Sequence, residues 1–116
     1  MAGQDVFDKY NGLVVDRELI SRPIVLAAGQ NLRRGALLGQ VTATRAYVIS
    51  ASGATDGSQV PDCILAEDTD ATSADVATLA HFVGTVRQQS LILGEGQTIE
   101  AIAETLRAKR IRLVPG

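Results

Sequence analysis

The sequence is poor in aromatic residues, histidine and cysteine. Of its 116 residues, two are Phe, two are Tyr and none is Trp. The apolar fraction is nevertheless 46%, so Val, Leu, Ile and Ala must supply the core. One domain of this length buries roughly 65% of its unfolded surface, which makes a modest core. A chain with such small apolar side chains favours association with copies of itself.

These shortages exclude several kinds of function. A net charge of −2 argues against nucleic acid as a direct partner, because phosphate binding needs a surplus of basic residues. No apolar run approaches the roughly 18 residues of a membrane span, and the N-terminus lacks the layout of a signal peptide. The sequence therefore predicts a soluble protein with no membrane partner, which is not exported by the standard route.

The single cysteine and the single histidine both fit a structural role. Cys63 stands beside Ile64 and Leu65, which predicts a reduced thiol in the core. His81 alternates with apolar neighbours and is expected on one face of a strand. One histidine is too few for a typical zinc site, and no Ser lies in a nucleophile-elbow motif.

Short β segments fill most of the chain. Their boundaries are marked by Gly, Pro, Asp and Ser, and Gly84 is expected to bend the longest of them. A turn is expected at 29–31, a second turn at 33–35, a loop at 51–62 and a polar connection at 68–75. About seven strands are predicted, at 24–26, 36–41, 45–50, 63–67, 76–86, 90–93 and 111–114.

One helix is predicted, from Thr98 to Lys109. Ile99, Ile102 and Leu106 fall with Ala103 on a single apolar stripe, and Thr98 is a suitable N-cap. The glycines of "LGEGQ" before it match only part of a dinucleotide-binding motif, so we interpret them as a loop that leads into the helix. The fold class is therefore mainly β with one C-terminal α-helix.

The N-terminus has a different character. Residues 1–12 show neither helical nor strand periodicity, yet they carry Val6, Phe7 and Tyr10. Half of the aromatic residues thus stand in a segment with no packing pattern, which suggests that the segment docks onto something else. We expect an extended arm at 1–21 and a single β-rich domain at 22–116.

An acidic stretch in the middle of the chain is the main candidate for chemistry. Residues 51–83 contain no basic residue and six acidic ones: Asp56, Asp62, Glu67, Asp68, Asp70 and Asp75. As a calcium loop starting at Asp68, the stretch has the wrong residues at positions 5, 6 and 12. A paired-carboxylate glycosidase needs a sugar cleft, which is usually lined with aromatic residues. A solvated connection that shapes the surface is the favoured interpretation.

The blocks "AGQNLRRGALLG" and "DGSQVPDCILAEDTDAT", followed by "SLILGEG" and a C-terminal helix, resemble the bacteriophage head decoration proteins of the lambda protein D type. The resemblance covers roughly residues 22–114. It implies a β-clip-like fold, no enzymatic activity and no cofactor. It also implies a homotrimer, made in the host cytoplasm, on the outer surface of the virion. Such trimers sit at the three-fold and quasi-three-fold sites of the expanded head and hold it against the pressure of packaged DNA.

The resemblance also implies that the arm adds a strand to the major capsid protein, which suits an arm with apolar residues but no pattern of its own. The residues expected to make this contact are Phe7, Tyr10, Leu13, Val14 and Val15. Two alternatives stay open. One is a small β-domain metal-binding protein or hydrolase that uses the acidic stretch 67–75 with His81, and the other is a different oligomeric virion adaptor.

Overall fold

A computed structural model describes residues 20–115 of the chain. Within that range there are eight strands, one α-helix and one 3₁₀ turn. The strands are β1 Ile20–Leu26, β2 Gln30–Leu32, β3 Leu37–Gln40, β4 Tyr47–Ile49, β5 Cys63–Leu65, β6 Thr69–Ala71, β7 Val76–Arg87 and β8 Ile111–Val114. Helix α1 spans Ile99–Ala108, and the 3₁₀ turn spans Gln88–Ser90. The predicted class, mainly β with one C-terminal helix, is confirmed.

The strands form a closed ring with one extension. The sheet order is β1-β4-β3-β5-β7, and a further pairing of β1 with β7 closes it. Strand β8 extends the sheet from β7, to which it is parallel. Strands β2 and β6 form a separate two-stranded sheet. The ring leaves one weak seam, because β1 and β4 pair only at Leu26 and Tyr47.

The central strands are buried on both faces, and this divides the core in two. Leu38 and Leu65 belong to a cluster with Ile24 and Leu26, whereas their neighbours Leu37 and Ile64 belong to a second cluster around the helix. Successive side chains of a strand point to opposite faces, so adjacent leucines can fill both clusters. This double burial explains why β3 begins with two adjacent leucines.

The long strand β7 connects the two halves of the core. Its first part lies between β1 and β5, and its last four residues, Gly84–Arg87, pair with β8. Gly84 marks the change of partner and has a φ of +152°, which a residue with a Cβ rarely adopts. The predicted bend at Gly84 therefore coincides with the point where the strand leaves the ring.

Helix α1 follows the local signals in its sequence. The Thr98 hydroxyl accepts a hydrogen bond from the Ala101 N–H at 3.2 Å, which caps the N-terminus. Ile102 and Leu106 are fully buried against β7 and β8. The helix ends at Ala108, and Arg110, at a φ of +67°, turns the chain into β8. No helix within residues 20–115 is long and apolar enough to cross a membrane.

Four local predictions were wrong. Strand β1 begins four residues earlier than predicted, at Ile20. The turn expected at 29–31 lies at residues 28–29, and the chain then enters β2. The polar connection at 68–75 contains β6, which pairs with β2. The strand expected at 90–93 is replaced by the 3₁₀ turn and one isolated bridge between Ala36 and Ile92.

Candidate functional surfaces

The carboxylates of the acidic stretch serve separate turns of the backbone. Asp68 accepts a hydrogen bond from the Arg34 N–H, and Asp75 accepts one from the Ala28 N–H, both at 2.8 Å. Asp70 accepts bonds from the N–H and hydroxyl of Thr72, at 3.0 and 2.5 Å. The hydroxyl bond is the larger cause of a lowered pKa at Asp70. Three of these carboxylates thus fix three different segments of chain.

Asp56 has a similar local role in the long loop before β5. Its carboxylate accepts bonds from the hydroxyl and the N–H of Ser58, at 2.5 and 3.0 Å, and these bonds lower its pKa. Gly57, between Asp56 and Ser58 in the chain, has a φ of +103°, and a Cβ at this position would lie 2.1 Å from the Thr42 hydroxyl. The Asp56–Gly57 turn therefore closes the loop against the end of β3.

Asp62 joins three parts of the fold. It accepts a hydrogen bond from the Tyr47 hydroxyl at 3.2 Å and forms an ion pair with the Lys109 ammonium at 2.9 Å. Burial, together with the nearby charge of Asp62, raises the pKa of Tyr47. The loop before β5, strand β4 and the end of α1 are thus held by one carboxylate. Because the ion pair is partly exposed, we expect its contribution to stability to be small.

No cluster suited to a metal ion forms within residues 20–115, where no three His, Cys, Asp or Glu side chains come together as a metal site would require. Asp68, Asp70 and Asp75, on which the metal or hydrolase alternative depends, are instead divided among the turns at Arg34, Thr72 and Ala28. His81 lies on β7, where its Nδ1 meets the Ser21 hydroxyl of β1. The geometry of the described residues gives this alternative no assembled site.

His81 is buried near the middle of β7 and contacts Ser21 of β1. Nothing in the sequence pattern indicates this pairing. The His81 Nδ1 lies 2.8 Å from the Ser21 hydroxyl, across the ladder between β7 and β1. Burial is the main cause that lowers the pKa of His81 to about 4, and the charge of Arg34 adds to it. Ser21 lies in the ladder between β1 and β7, next to a register shift between Ile20 and Ser21, and not on the sharp strand-to-helix turn of a nucleophile elbow. The pair therefore fits the joining of two strands better than catalysis.

Cys63 and the glycines of 94–96 have structural roles, as predicted. The Cys63 side chain is fully buried in the core, and burial raises the pKa of its thiol. A Cβ at Gly94 would lie 2.0 Å from the Ser50 carbonyl oxygen, and one at Gly96 would lie 2.1 Å from the Ser52 hydroxyl. These glycines let the loop before α1 pack closely on the chain that follows β4, and the interpretation as a loop into the helix is confirmed.

A groove opens at the weak seam between β1 and β4. Its volume is about 680 Å³, and it contains both aromatic residues of the described range, Tyr47 and Phe82. Their rings meet edge to face, with centroids 6.2 Å apart, and the Arg22 guanidinium lies 5.7 Å from the centre of the Phe82 ring. Pro23 on the open edge of β1 has no N–H to offer to an added strand.

The residues predicted to contact the capsid, Phe7, Tyr10, Leu13, Val14 and Val15, lie outside the described residues, as does nearly all of the predicted arm at 1–21. What the structure describes is the point where this segment joins the domain. Ile20, the first described residue, lies in β1 opposite Val83 of β7 and is 45% exposed.

The described residues form a small, mainly β domain in which five aspartates of the acidic stretch bind the domain's own loops and strands. The family model for bacteriophage lambda head decoration protein D matches residues 14–112, and the chain belongs to this family. No curated protein matches the chain. The predicted relationship to phage head decoration proteins is thus confirmed, and the family indicates a protein of the virion capsid.

Proposed function

We propose that this protein is a non-enzymatic cementing protein of a phage head. It binds as homotrimers to the three-fold and quasi-three-fold positions on the outer surface of the expanded head. There it stabilises the shell against the pressure of packaged DNA. The observation that carries the proposal is the match of the decoration protein family over residues 14–112.

The fold supports the proposal in two ways. The acidic residues and the histidine, which are the groups most suited to catalysis, are used to hold loops and strands together. The closed ring and the buried double core give a rigid body of the kind a clamp requires. The same proposal includes a β-clip-like fold, a domain boundary at residue 22 and the absence of a cofactor.

The arm is proposed to make the contact with the major capsid protein. Phe7, Tyr10, Leu13, Val14 and Val15 would add an extended strand to a sheet edge of that protein, where main-chain hydrogen bonds give affinity and alternate side chains give specificity. One arm contact of this size is weak. Three arms on one trimer bind together with a much higher effective affinity.

Release of DNA from packaged heads tests this function. Heads that lack the decoration protein are heated with and without the purified protein, and free DNA is measured by nuclease sensitivity. We expect decorated heads to retain DNA at temperatures where bare heads release it. Equal release from decorated and bare heads would contradict the stabilising role. A native mass of three times the 12.2 kDa chain is expected for the protein in solution.

A further inference from the structure

The long strand β7 defines two ends of the domain. Strand β1 is antiparallel to β7, so Ile20 lies opposite Val83 while Leu26 lies opposite Val76. The segment before Ile20 therefore joins the domain toward the C-terminal end of β7. Strand β8 runs parallel to the same end and finishes with Val114 opposite Arg87. We call this the arm end, and we call the region around Val76 and β6 the far end.

Charge is unevenly distributed between the two ends, which lie at most about 36 Å apart along a 12-residue strand. The far end has three basic residues, Arg33, Arg34 and Arg45, and four acidic ones, Glu67, Asp68, Asp70 and Asp75. The three aspartates among them accept hydrogen bonds from backbone N–H groups. The arm end has Arg87, Arg110 and Arg112 on or beside β7 and β8, while the neighbouring helix α1 carries Glu100 and Glu104, and Asp62 is paired with Lys109. Within residues 20–115, none of these three arginines forms an ion pair.

Two of these arginines share one face of the sheet. Val86, Ile111 and Leu113 point to the cluster beneath α1, and since side chains alternate, Arg87 and Arg112 point the opposite way. The register pairs Arg112 with Thr85 and Arg87 with Val114, so the two arginines are diagonal neighbours. The backbone positions of such neighbours are about 7–8 Å apart. The two positively charged side chains therefore share one patch of this face, and an anionic partner would complement it.

We propose that Arg87 and Arg112 form a basic surface that contacts a carboxylate-rich surface of the head shell. This inference rests on the proposed function. It orients the molecule, because the arm end then faces the shell and the acidic far end faces away. Electrostatic attraction of this kind accelerates encounter and selects the orientation in which the arms reach the shell. A trimer presents the surface three times.

Binding to expanded shells at several salt concentrations tests the surface. The variant Arg87→Gln/Arg112→Gln removes two positive charges from the arm end. The matched control Arg33→Gln/Arg45→Gln removes two positive charges from the far end. Both of these arginines are exposed, and neither forms an ion pair within residues 20–115. We expect the first variant to bind about tenfold more weakly than wild type at 50 mM NaCl. The difference should shrink toward 0.5 M NaCl, where charges are screened, and the control should bind like wild type.

The outcomes separate this inference from the proposed function. If wild-type binding shows no dependence on salt, or if the two variants weaken binding equally, the inference about the basic surface is wrong. The proposed decoration function is unaffected by either result. If Arg87→Gln/Arg112→Gln dissociates the trimer, the arginines belong to a contact between subunits and the inference is also wrong. If wild-type protein does not bind expanded shells at any salt concentration, the proposed function fails and the inference falls with it.

Discussion

The Ser21 hydroxyl and the His81 Nδ1 lie 2.8 Å apart, and their contact joins the first described strand to the longest one. They are 60 residues apart in the chain. His81 is almost completely buried, so its ring is held in the neutral form at physiological pH. The contact lies close to the point where residues 1–19 join the domain, and we expect it to resist strain transmitted through the arm.

Stability is predicted to fall on mild acidification. The pKa of His81 is about 4 in the folded protein, against 6.5 for an ordinary histidine. Between these pH values the unfolded chain binds a proton that the folded protein does not bind, so the free energy of unfolding falls as the pH falls. Full titration corresponds to about 3 kcal/mol. Denaturant unfolding at pH 7 and pH 4.5 measures the change.

The variant His81→Gln provides the control for this pH dependence. It is expected to be less stable than wild type at pH 7, because the buried site loses its packing, but to show little change between pH 6.5 and 4.5. Asp56 and Asp70, whose pKa values are lowered, affect the free energy of unfolding only at lower pH, since an ordinary aspartate titrates near 3.8. A wild-type protein with constant stability from pH 7 to 4.5 would contradict the role given to His81.

Gly39 is predicted to be essential for the closure of the long loop onto β3. A Cβ at this position would lie 2.0 Å from the Ser58 carbonyl oxygen, which is a backbone atom with little freedom to move. We expect Gly39→Ala to lower the free energy of unfolding by about 2–3 kcal/mol. Gly53→Ala is the matched control, because a Cβ at Gly53 meets no atom within 4 Å.

Thermal and denaturant unfolding of the two glycine variants give the comparison. Gly53→Ala is expected to be neutral or to stabilise by about 0.5 kcal/mol, since alanine restricts the unfolded chain. Equal stabilities for Gly39→Ala and Gly53→Ala would show that the loop does not pack on β3 as described.

The helix could be predicted from sequence because its signals are local. The Thr98 cap and the apolar stripe of Ile102 and Leu106 lie within a few residues of one another, and all three have the predicted roles. The strands β3 and β5 could be located for a related reason. Burial on both faces gives short apolar runs, at 36–38 and at Cys63–Leu65, and the Gly and Pro residues that flank them indicate strands and not helices.

Strand β6 could not be predicted, because its stabilisation comes from distant residues. It pairs Ala71 with Gln30, and the Thr69 hydroxyl is buried against the Thr78 hydroxyl at 2.8 Å. A polar sequence such as Thr-Asp-Ala carries no strand signal until these partners are in place. The same reason hides the separate roles of Asp68 and Asp75, whose N–H donors lie 34 and 47 residues away.

The arm is predicted to control shell binding through its aromatic side chains. The full-length variant Phe7→Ser/Tyr10→Ser removes both aromatic side chains from residues 1–12. We expect it to bind expanded shells at least tenfold more weakly, because aromatic anchors dominate most interfaces. Its trimeric mass and its unfolding midpoint should equal those of wild type.

Val60→Ser is the control for the arm variant. Val60 is 49% exposed in the long loop, so the change removes apolar surface from the folded domain and leaves the arm intact. Titration of expanded shells with each variant, followed by sedimentation, gives the affinities. Unchanged binding by Phe7→Ser/Tyr10→Ser, or an equal loss with Val60→Ser, would show that the arm residues do not make the contact.

The central claim is that the protein recognises the expanded head and occupies its three-fold positions. The most direct measurement mixes purified protein with expanded and with unexpanded shells of its own phage and counts bound copies per shell at saturation. We predict that expanded shells bind a fixed number of copies divisible by three, with density at three-fold and quasi-three-fold positions, and that unexpanded shells bind few. Equal binding to both shells, or no binding to expanded shells, would contradict the account.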